Sequence, residues 1–372
     1  MKVIIFFTYG ISLNDWKRSG LLEREVELYN HLSNTYNIKF SFITYGDTTD
    51  LEVLPKSSNI EVIPIYKYFN KNNNKYFEFI KSFTYFLKLK KIITIDKSIL
   101  KTNQLWGSWI PILIKLTSGN RLIIRTGYDL LNFKRKEGVS KLKLVFYRLL
   151  TKYSLHFSDI YLVTSKSDRN NLIKEFPKNK AKTHKLSNWV NVPDYLFEQR
   201  YTRKLVSVGR LETQKNFGHL IESFENSDFE IDIIGLGSKK EELVSLAKKQ
   251  KTKVNFLGKI TNKELINMLP KYKYFITSTF YEGNPKAILE AMAAGCIVIA
   301  PDVEGVRELI QNEVNGILYN LEQDNLIKIL ENINTSKERE ISNNAIKTIN
   351  SEHLLEVVAK KEFDIYKIIS NY

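Results

Sequence analysis

Short runs of β-branched and aromatic residues alternate with segments of helix length along almost the whole of this 372-residue chain, and that rhythm restricts its fold more than any other feature. Parallel strands can be joined only through a crossover, usually a helix, so the alternation predicts parallel sheets wrapped by helices. In the first half, strands are predicted at Val3–Phe7, Ile38–Thr44, Ile60–Ile65, Arg121–Thr126 and Ile160–Ser165. The second half repeats the pattern at Leu205–Gly209, Ile231–Gly235, Val254–Gly258, Phe275–Thr279, Ile297–Ala300 and Ile317–Tyr319. Two open sheets follow, and a chain of this length suits two α/β domains.

The segment Ser187 to Asp194 gathers turn formers and Pro193, which predicts a linker there. The expected division is a Rossmann-like domain over 1–187, completed by a C-terminal helix over 354–372, and a second Rossmann-like domain over 188–353. Ligands of open α/β sheets bind outside the carboxyl ends of the strands, so a cleft is expected where those ends of the two sheets face each other. Helical periodicity in Leu21, Leu22, Glu25, Val26, Leu28, Tyr29 and Leu32 marks a first crossover helix entered through Ser19-Gly20. Asn70–Asn74 reads as a loop.

Hydrophobic residues make up 43% of the chain and aromatics 12%, enough for substantial cores and too much for a disordered chain. The opening apolar run Val3 to Phe7 is too short for a signal peptide, and no stretch is long and apolar enough to span a bilayer. One cysteine, Cys296, excludes an intrachain disulfide and reads as a small core residue, so a cytoplasmic location is expected, peripheral to the inner face of the membrane. The net charge of +15 is unevenly placed: residues 1–198 hold 32 Lys/Arg against 17 Asp/Glu, and residues 199–372 hold 24 of each. Lysine-rich composition alone would not spare one half. The basic half implies an anionic partner: a membrane surface, a phosphorylated acceptor or nucleic acid. Lys75–Lys91 mixes cations with aromatics over a helix length, and Phe133–Lys136 with Lys141–Lys143 adds a second basic cluster. Such segments suit an anionic bilayer surface, or equally a solvated helix face whose aromatics lie in the core.

The stretch Ser278 to Gly295 carries the most chemistry. A strand is predicted to end at Thr279, and a tight loop then leads into a helix with Asn284 as N-cap and Pro285 at the first helical position. Free backbone N–H groups at a helix N-terminus suit the hydroxyls or an anionic group of a ligand, and Gly283 lets that ligand approach the main chain. Glu282 in the loop and Glu290 in the second helical turn can then reach different parts of one extended ligand. Ala291, Ala293, Ala294 and Gly295 keep that helix slim for close packing on the sheet. A second signal is Leu205 to Asn216: a strand runs into Gly209, and the loop beyond presents Arg210 and Lys215. Two cations at a strand's carboxyl end can hold a diphosphate and stabilise the charge that develops as it departs.

Together these segments resemble the donor half of the retaining GT-B glycosyltransferases called glycosyl transferases group 1, or glycosyltransferase family 4-like. The marks are the E-x7-E pattern, Glu282 to Glu290, and the Gly-Arg-x4-Lys pattern, Gly209-Arg210 to Lys215, over roughly residues 200–320. The resemblance implies a GT-B fold of two Rossmann-like domains facing across a cleft, and transfer of a sugar from a UDP-, GDP- or ADP-sugar to a glycan or lipid-linked acceptor in cell-surface polysaccharide or lipopolysaccharide synthesis. It implies that Arg210 and Lys215 bind the diphosphate beside Gly209, that Glu290 holds the ribose, and that Glu282 with Gly283, Asn284 and Pro285 holds the transferred sugar, with Lys286 a further donor-binding candidate. Glu282, Arg210 and Lys215 are then the catalytic candidates, with no cofactor and no metal required.

The N-terminal half departs from that pattern. Where the family usually reads Gly-Gly-x-Glu, this chain has Gly20-Leu21-Leu22-Glu23, and where His-Asp often follows a later strand it has Tyr128-Asp129. Gly20, Glu23, Tyr128 and Asp129 are therefore the candidates for contacts to acceptor or sugar, with Tyr128 either replacing the imidazole or simply packing. None of His31, His156, His184, His219 and His353 has a spacing that suggests a metal or a triad. A nucleic-acid-binding protein would leave Glu282 and Glu290 unexplained. A sugar phosphorylase or a nucleotide-sugar epimerase on the same fold is the nearer alternative.

Overall fold

A computed structural model describes residues 1–55, 57–93, 97–193 and 199–370; Asp194 of the linker and residues 371–372 of the expected last helix lie outside them. The chain forms two compact units, one made of Met1–Leu186 with Ala359–Tyr372 and the other of Ser187–Val358.

Among the described residues the first unit is built on β1 (Lys2–Phe6), β2 (Lys39–Thr44), β3 (Ile60–Pro64), β4 (Ser98–Thr102), β5 (Arg121–Arg125), β6 (Ile160–Val163) and β7 (Thr183–Lys185). They form one sheet in the order β3-β2-β1-β4-β5-β6-β7, with every neighbouring pair parallel. Its inner strands are apolar on both faces because helices cover both: Val3, Ile4, Ile5, Leu122, Ile123 and Ile124 are fully buried. Two of the strands, β4 and β7, carry no long apolar run and are absent from the strands predicted above. Two helices, Leu13–Ser19 and Leu22–Tyr36, fill the first crossover where the periodicity predicted one. Gly20 separates them as a left-handed C-cap with φ 70°, its N–H turned back to the carbonyls of Lys17 and Trp16.

The second unit holds β8 (Tyr201–Val208), β9 (Glu230–Ile234), β10 (Lys253–Gly258), β11 (Tyr272–Ile276), β12 (Ile297–Pro301) and β13 (Ile317–Tyr319) in the order β10-β9-β8-β11-β12-β13, again parallel throughout. The helix Lys286–Ala293 packs against it with Leu289, Ala291, Met292 and Ala293 fully buried, and Cys296 follows into the same core. Chain order runs outward from β8 in one direction and from β11 in the other. The switch point of this sheet therefore lies between β8 and β11.

Candidate functional site

In doubly wound sheets the crevice at the switch point is where the loops after two neighbouring strands part to opposite faces and leave room for a ligand. In the second unit those loops are Gly209–Asn216 after β8 and Thr277–Pro285 after β11, and they carry the two sequence motifs. The loops are tied together. The side-chain amide of Gln214 donates to the Tyr281 carbonyl at 2.8 Å, the Phe280 N–H to the Gln214 carbonyl at 3.0 Å, and the Ser278 hydroxyl to the Asn216 carbonyl at 2.7 Å.

This tie brings the Lys215 ammonium onto the Glu282 carboxylate, with Lys215 17% and Glu282 9% exposed at the side chain. The Lys215 stem lies flat on Gly209, where a Cβ would come within 3.2 Å of its Cδ, so the glycine gives the lysine its path. Arg210 stays exposed beyond the strand end. Glu212 accepts the N–H and the hydroxyl of Ser238, which hold its carboxyl below the usual range and pin the loop after β9 beside the loop after β8.

Glu290 is buried on the helix Lys286–Ala293, and the Asn262 side-chain amide donates to it at 2.9 Å. Lys286 opens that helix. The expected capping needs correction: Pro285, in extended conformation, is the N-cap residue, and Asn284 lies one position further out. The Asn284 side-chain oxygen accepts the Asn188 N–H at 3.0 Å and its carbonyl accepts the Asn188 side-chain amide at 2.8 Å, so this asparagine anchors the linker segment instead of the helix. Gly283, Asn284 and Pro285 are all buried.

Two glycines that the motif reading passed over shape the site. A Cβ on Gly235, whose φ is 148°, would strike the Gly209 carbonyl oxygen, and one on Gly305 would strike the carbonyls of Glu282 and Gly283. Each presses a neighbouring loop against one of the motif loops. The signal that marks them is only their position after a predicted strand or at the start of a short helix.

Among the four candidates of the first unit, Gly20, Tyr128 and Asp129 make contacts within their own element or turn. Gly20 is the helix C-cap described above, and Glu23 lies exposed in the first turn of the helix Leu22–Tyr36. Tyr128 packs on Phe133 with ring centroids 4.5 Å apart. Asp129 caps the helix Leu130–Lys136 by accepting the Asn132 N–H at 3.2 Å. Burial pushes the Asp129 carboxyl up to about 6, against the opposing backbone hydrogen bonds.

Solved structures share this architecture. The chain superposes on sucrose-phosphate synthase from Thermosynechococcus elongatus with a TM-score of 0.77 at 16% identity, covering 99% of this chain and 98% of that one. It superposes on Anabaena HepE, solved in complex with UDP, with a TM-score of 0.73 at 14% identity over 99% and 100% of the two chains. The fold is therefore GT-B. Residues 197–348 match the family model described as glycosyl transferases group 1. Among relatives, the chain is 25% identical to the Campylobacter jejuni N-acetylgalactosamine-N,N'-diacetylbacillosaminyl-diphospho-undecaprenol 4-alpha-N-acetylgalactosaminyltransferase over 68% of this chain and 72% of that protein. It is 26% identical to the O-antigen biosynthesis glycosyltransferase WbnH of Escherichia coli over 68% and 71%. An uncharacterized glycosyltransferase of Methanocaldococcus jannaschii matches at 29% identity over 45% of each chain.

Proposed function

We propose that the protein is a retaining, metal-independent hexosyltransferase that moves a sugar from a nucleoside-diphosphate sugar to a glycan or lipid-linked acceptor in the synthesis of a cell-surface polysaccharide or lipopolysaccharide. The observation that carries the reading is the meeting of Lys215 and Glu282, supplied by loops after different strands at the switch point, with Arg210 at the strand end and Glu290 on the helix beyond. A cation pair there suits a diphosphate, and buried carboxylates suit the hydroxyls of ribose and sugar. The Campylobacter relative, named for a diphospho-undecaprenol acceptor, supports an acceptor carried on a lipid diphosphate, and the O-antigen relative supports a role in cell-surface polysaccharide synthesis.

In the proposed reaction the bond between the anomeric carbon and the diphosphate oxygen breaks while the acceptor oxygen bonds to the same face of that carbon. The acceptor's proton passes to the departing diphosphate. Arg210 and Lys215 stabilise the growing negative charge, which is electrostatic catalysis by groups already in place. Glu282 holds Lys215 and positions the sugar. A thermal-shift screen of UDP-, GDP- and ADP-sugars tests the reading: one nucleotide series should raise the melting temperature in proportion to the logarithm of its concentration. Activity with that donor should survive EDTA, and NMR should show the donor's anomeric configuration kept in the product. Failure of every nucleotide sugar to stabilise the protein would overturn the assignment, and an inverted product would overturn the mechanism.

A further inference from the structure

The helix Lys75–Ser82 of the first unit turns apolar side chains outward: its buried positions are the polar Glu78 and Ser82, while Tyr76, Phe77 and Ile80 are exposed, Tyr76 by 83% and Ile80 by 64%. Phe83 after it and Leu87 of the next helix, Tyr85–Ile92, are exposed as well, although that helix buries Tyr85 and Leu89. In the helix Lys141–Phe157, Thr151, Ser154 and Leu155 are buried, while Leu142, Val145, Phe146, Leu149 and Tyr153 are exposed, Leu142 by 82%. The 3- and 4-residue spacing puts Leu142, Val145, Phe146, Leu149 and Tyr153 on one helical face.

The two stripes are neighbours. Phe79 lies between them, its ring centroid 6.5 Å from Phe146 and 5.9 Å from Trp106, which in turn lies 5.8 Å from Phe146. A contiguous exposed apolar patch of this kind marks an interaction surface, since soluble proteins rarely tolerate one without a use. Charge selects the occupant. The residues 75–92 and 141–157 carry nine Lys/Arg and one acid, Glu78, and that acid is buried, accepting hydrogen bonds from the Tyr66 and Tyr85 hydroxyls. Arg148 is paired with Glu175 at 3.0 Å, and the remaining cations are lysines. Aromatic and aliphatic side chains outward, flanked by lysines, fit the boundary between headgroups and acyl chains of an anionic bilayer.

We propose that these helices form a membrane-docking surface which inserts apolar side chains into an anionic bilayer, deepening the reading of a lipid-linked acceptor. Among the described residues no helix is long and apolar enough to cross a membrane, so the surface would lie in the interface.

Sedimentation with phosphatidylcholine vesicles, with and without 30 mol% phosphatidylglycerol (about that fraction giving a physiological surface charge), tests the proposal. The wild-type protein should bind the anionic vesicles at low salt and keep part of that binding at high salt, because inserted apolar area is not screened. The triple variant Phe77→Ser, Ile80→Ser, Leu142→Ser should lose at least about tenfold in partitioning at both salts. Reversal of Lys88, Lys90 and Lys91 to Glu should lose binding mainly at low salt. Circular dichroism and the thermal shift induced by the nucleotide sugar found in the screen should be unchanged in both variants, so failure of the donor reading would show separately, as absence of a shift with every nucleotide sugar in the wild type. Absence of wild-type binding to anionic vesicles, or wild-type partitioning by the serine variant, would overturn the proposal. A dimer in sedimentation velocity that the serine substitutions dissolve would overturn it in favour of a second copy of the chain.

Discussion

The Lys101 ammonium of β4 and the Glu362 carboxylate of the helix Leu355–Ser370, 261 residues apart in sequence, meet at 2.6 Å with both side chains 1% exposed. Burial alone would raise the Glu362 carboxyl, but Lys101 and the nearby Arg125 guanidinium outweigh it and hold it below the usual range. The Tyr366 hydroxyl donates to the same carboxylate oxygen. Removing one partner leaves a buried charge unpaired, so Glu362→Gln or Lys101→Met should destabilise the first unit by about 3–5 kcal/mol, measured by urea unfolding. Since the folded carboxyl titrates below its unfolded value, its contribution is complete above the ordinary glutamate range and is lost as pH falls through the lowered value. The difference between wild type and Glu362→Gln should therefore narrow in acid and stay constant near neutrality.

Lys215→Ala should lower kcat/KM by about 3–4 kcal/mol of transition-state stabilisation, roughly a few hundredfold, by analogy with removing one preorganised donor to a developing anion. Glu290→Ala should mainly weaken donor binding, since the ribose is held equally before and during reaction. Steady-state kinetics with the nucleotide sugar found by thermal shift separates the two. Near-wild-type turnover in both variants would refute the site.

Glu282→Gln separates positioning from nucleophilic attack. With the carboxylate gone, the Lys215 ammonium is released to a diphosphate, so the nucleoside diphosphate should bind a few-fold tighter while transfer slows. Turnover should remain measurable and mass spectrometry should trap no glycosyl-enzyme. A covalent adduct on Glu282 in the wild-type protein would make it the nucleophile of a double displacement.

Asp129 gives a pH signature of opposite sign to Glu362. Its folded carboxyl, raised to about 6, favours the protonated form, so the folded state gains relative stability in acid and loses it as pH rises from about 4 to 6. Keeping that buried carboxylate ionised at neutral pH costs about 3 kcal/mol on this shift. Asn retains the capping oxygen, so Asp129→Asn should be at least as stable as wild type at pH 7.5 and should lack the decline between about pH 4 and 6. Chemical denaturation across that range decides it.

Gly235→Ala and Gly305→Ala place a methyl group against backbone carbonyls of the two motif loops. Both variants should lose the nucleotide-induced thermal shift, while the far-ultraviolet circular dichroism of the sheet stays unchanged. Retention of the full shift in either variant would show that the loop can give way at that glycine.

What the sequence determined by itself is what depends on neighbours along the chain. Strands such as Leu122–Ile124 and Ile297–Ala300 are apolar at every position because both faces of a parallel sheet are covered, and that continuity shows without a structure. The spacings from Gly209 to Lys215 and from Glu282 to Glu290 are likewise local, each belonging to one strand end and the helix after it. Tertiary structure decided whatever depends on partners far along the chain. β4 was illegible because Lys101 interrupts it, and a buried lysine is tolerable only through Glu362, which arrives with the last helix. β7 has three residues, Thr183, His184 and Lys185, and exists as the partner of β6 at the sheet edge. Asn284 reads locally as a helix cap, yet Asn188 takes its oxygen, leaving the cap position to Pro285. The counterion of Lys215, the brace on Glu290 and the glycines under both loops all come from segments following other strands, because parallel strands bring their loops together at one end of the sheet only after the crossovers have formed.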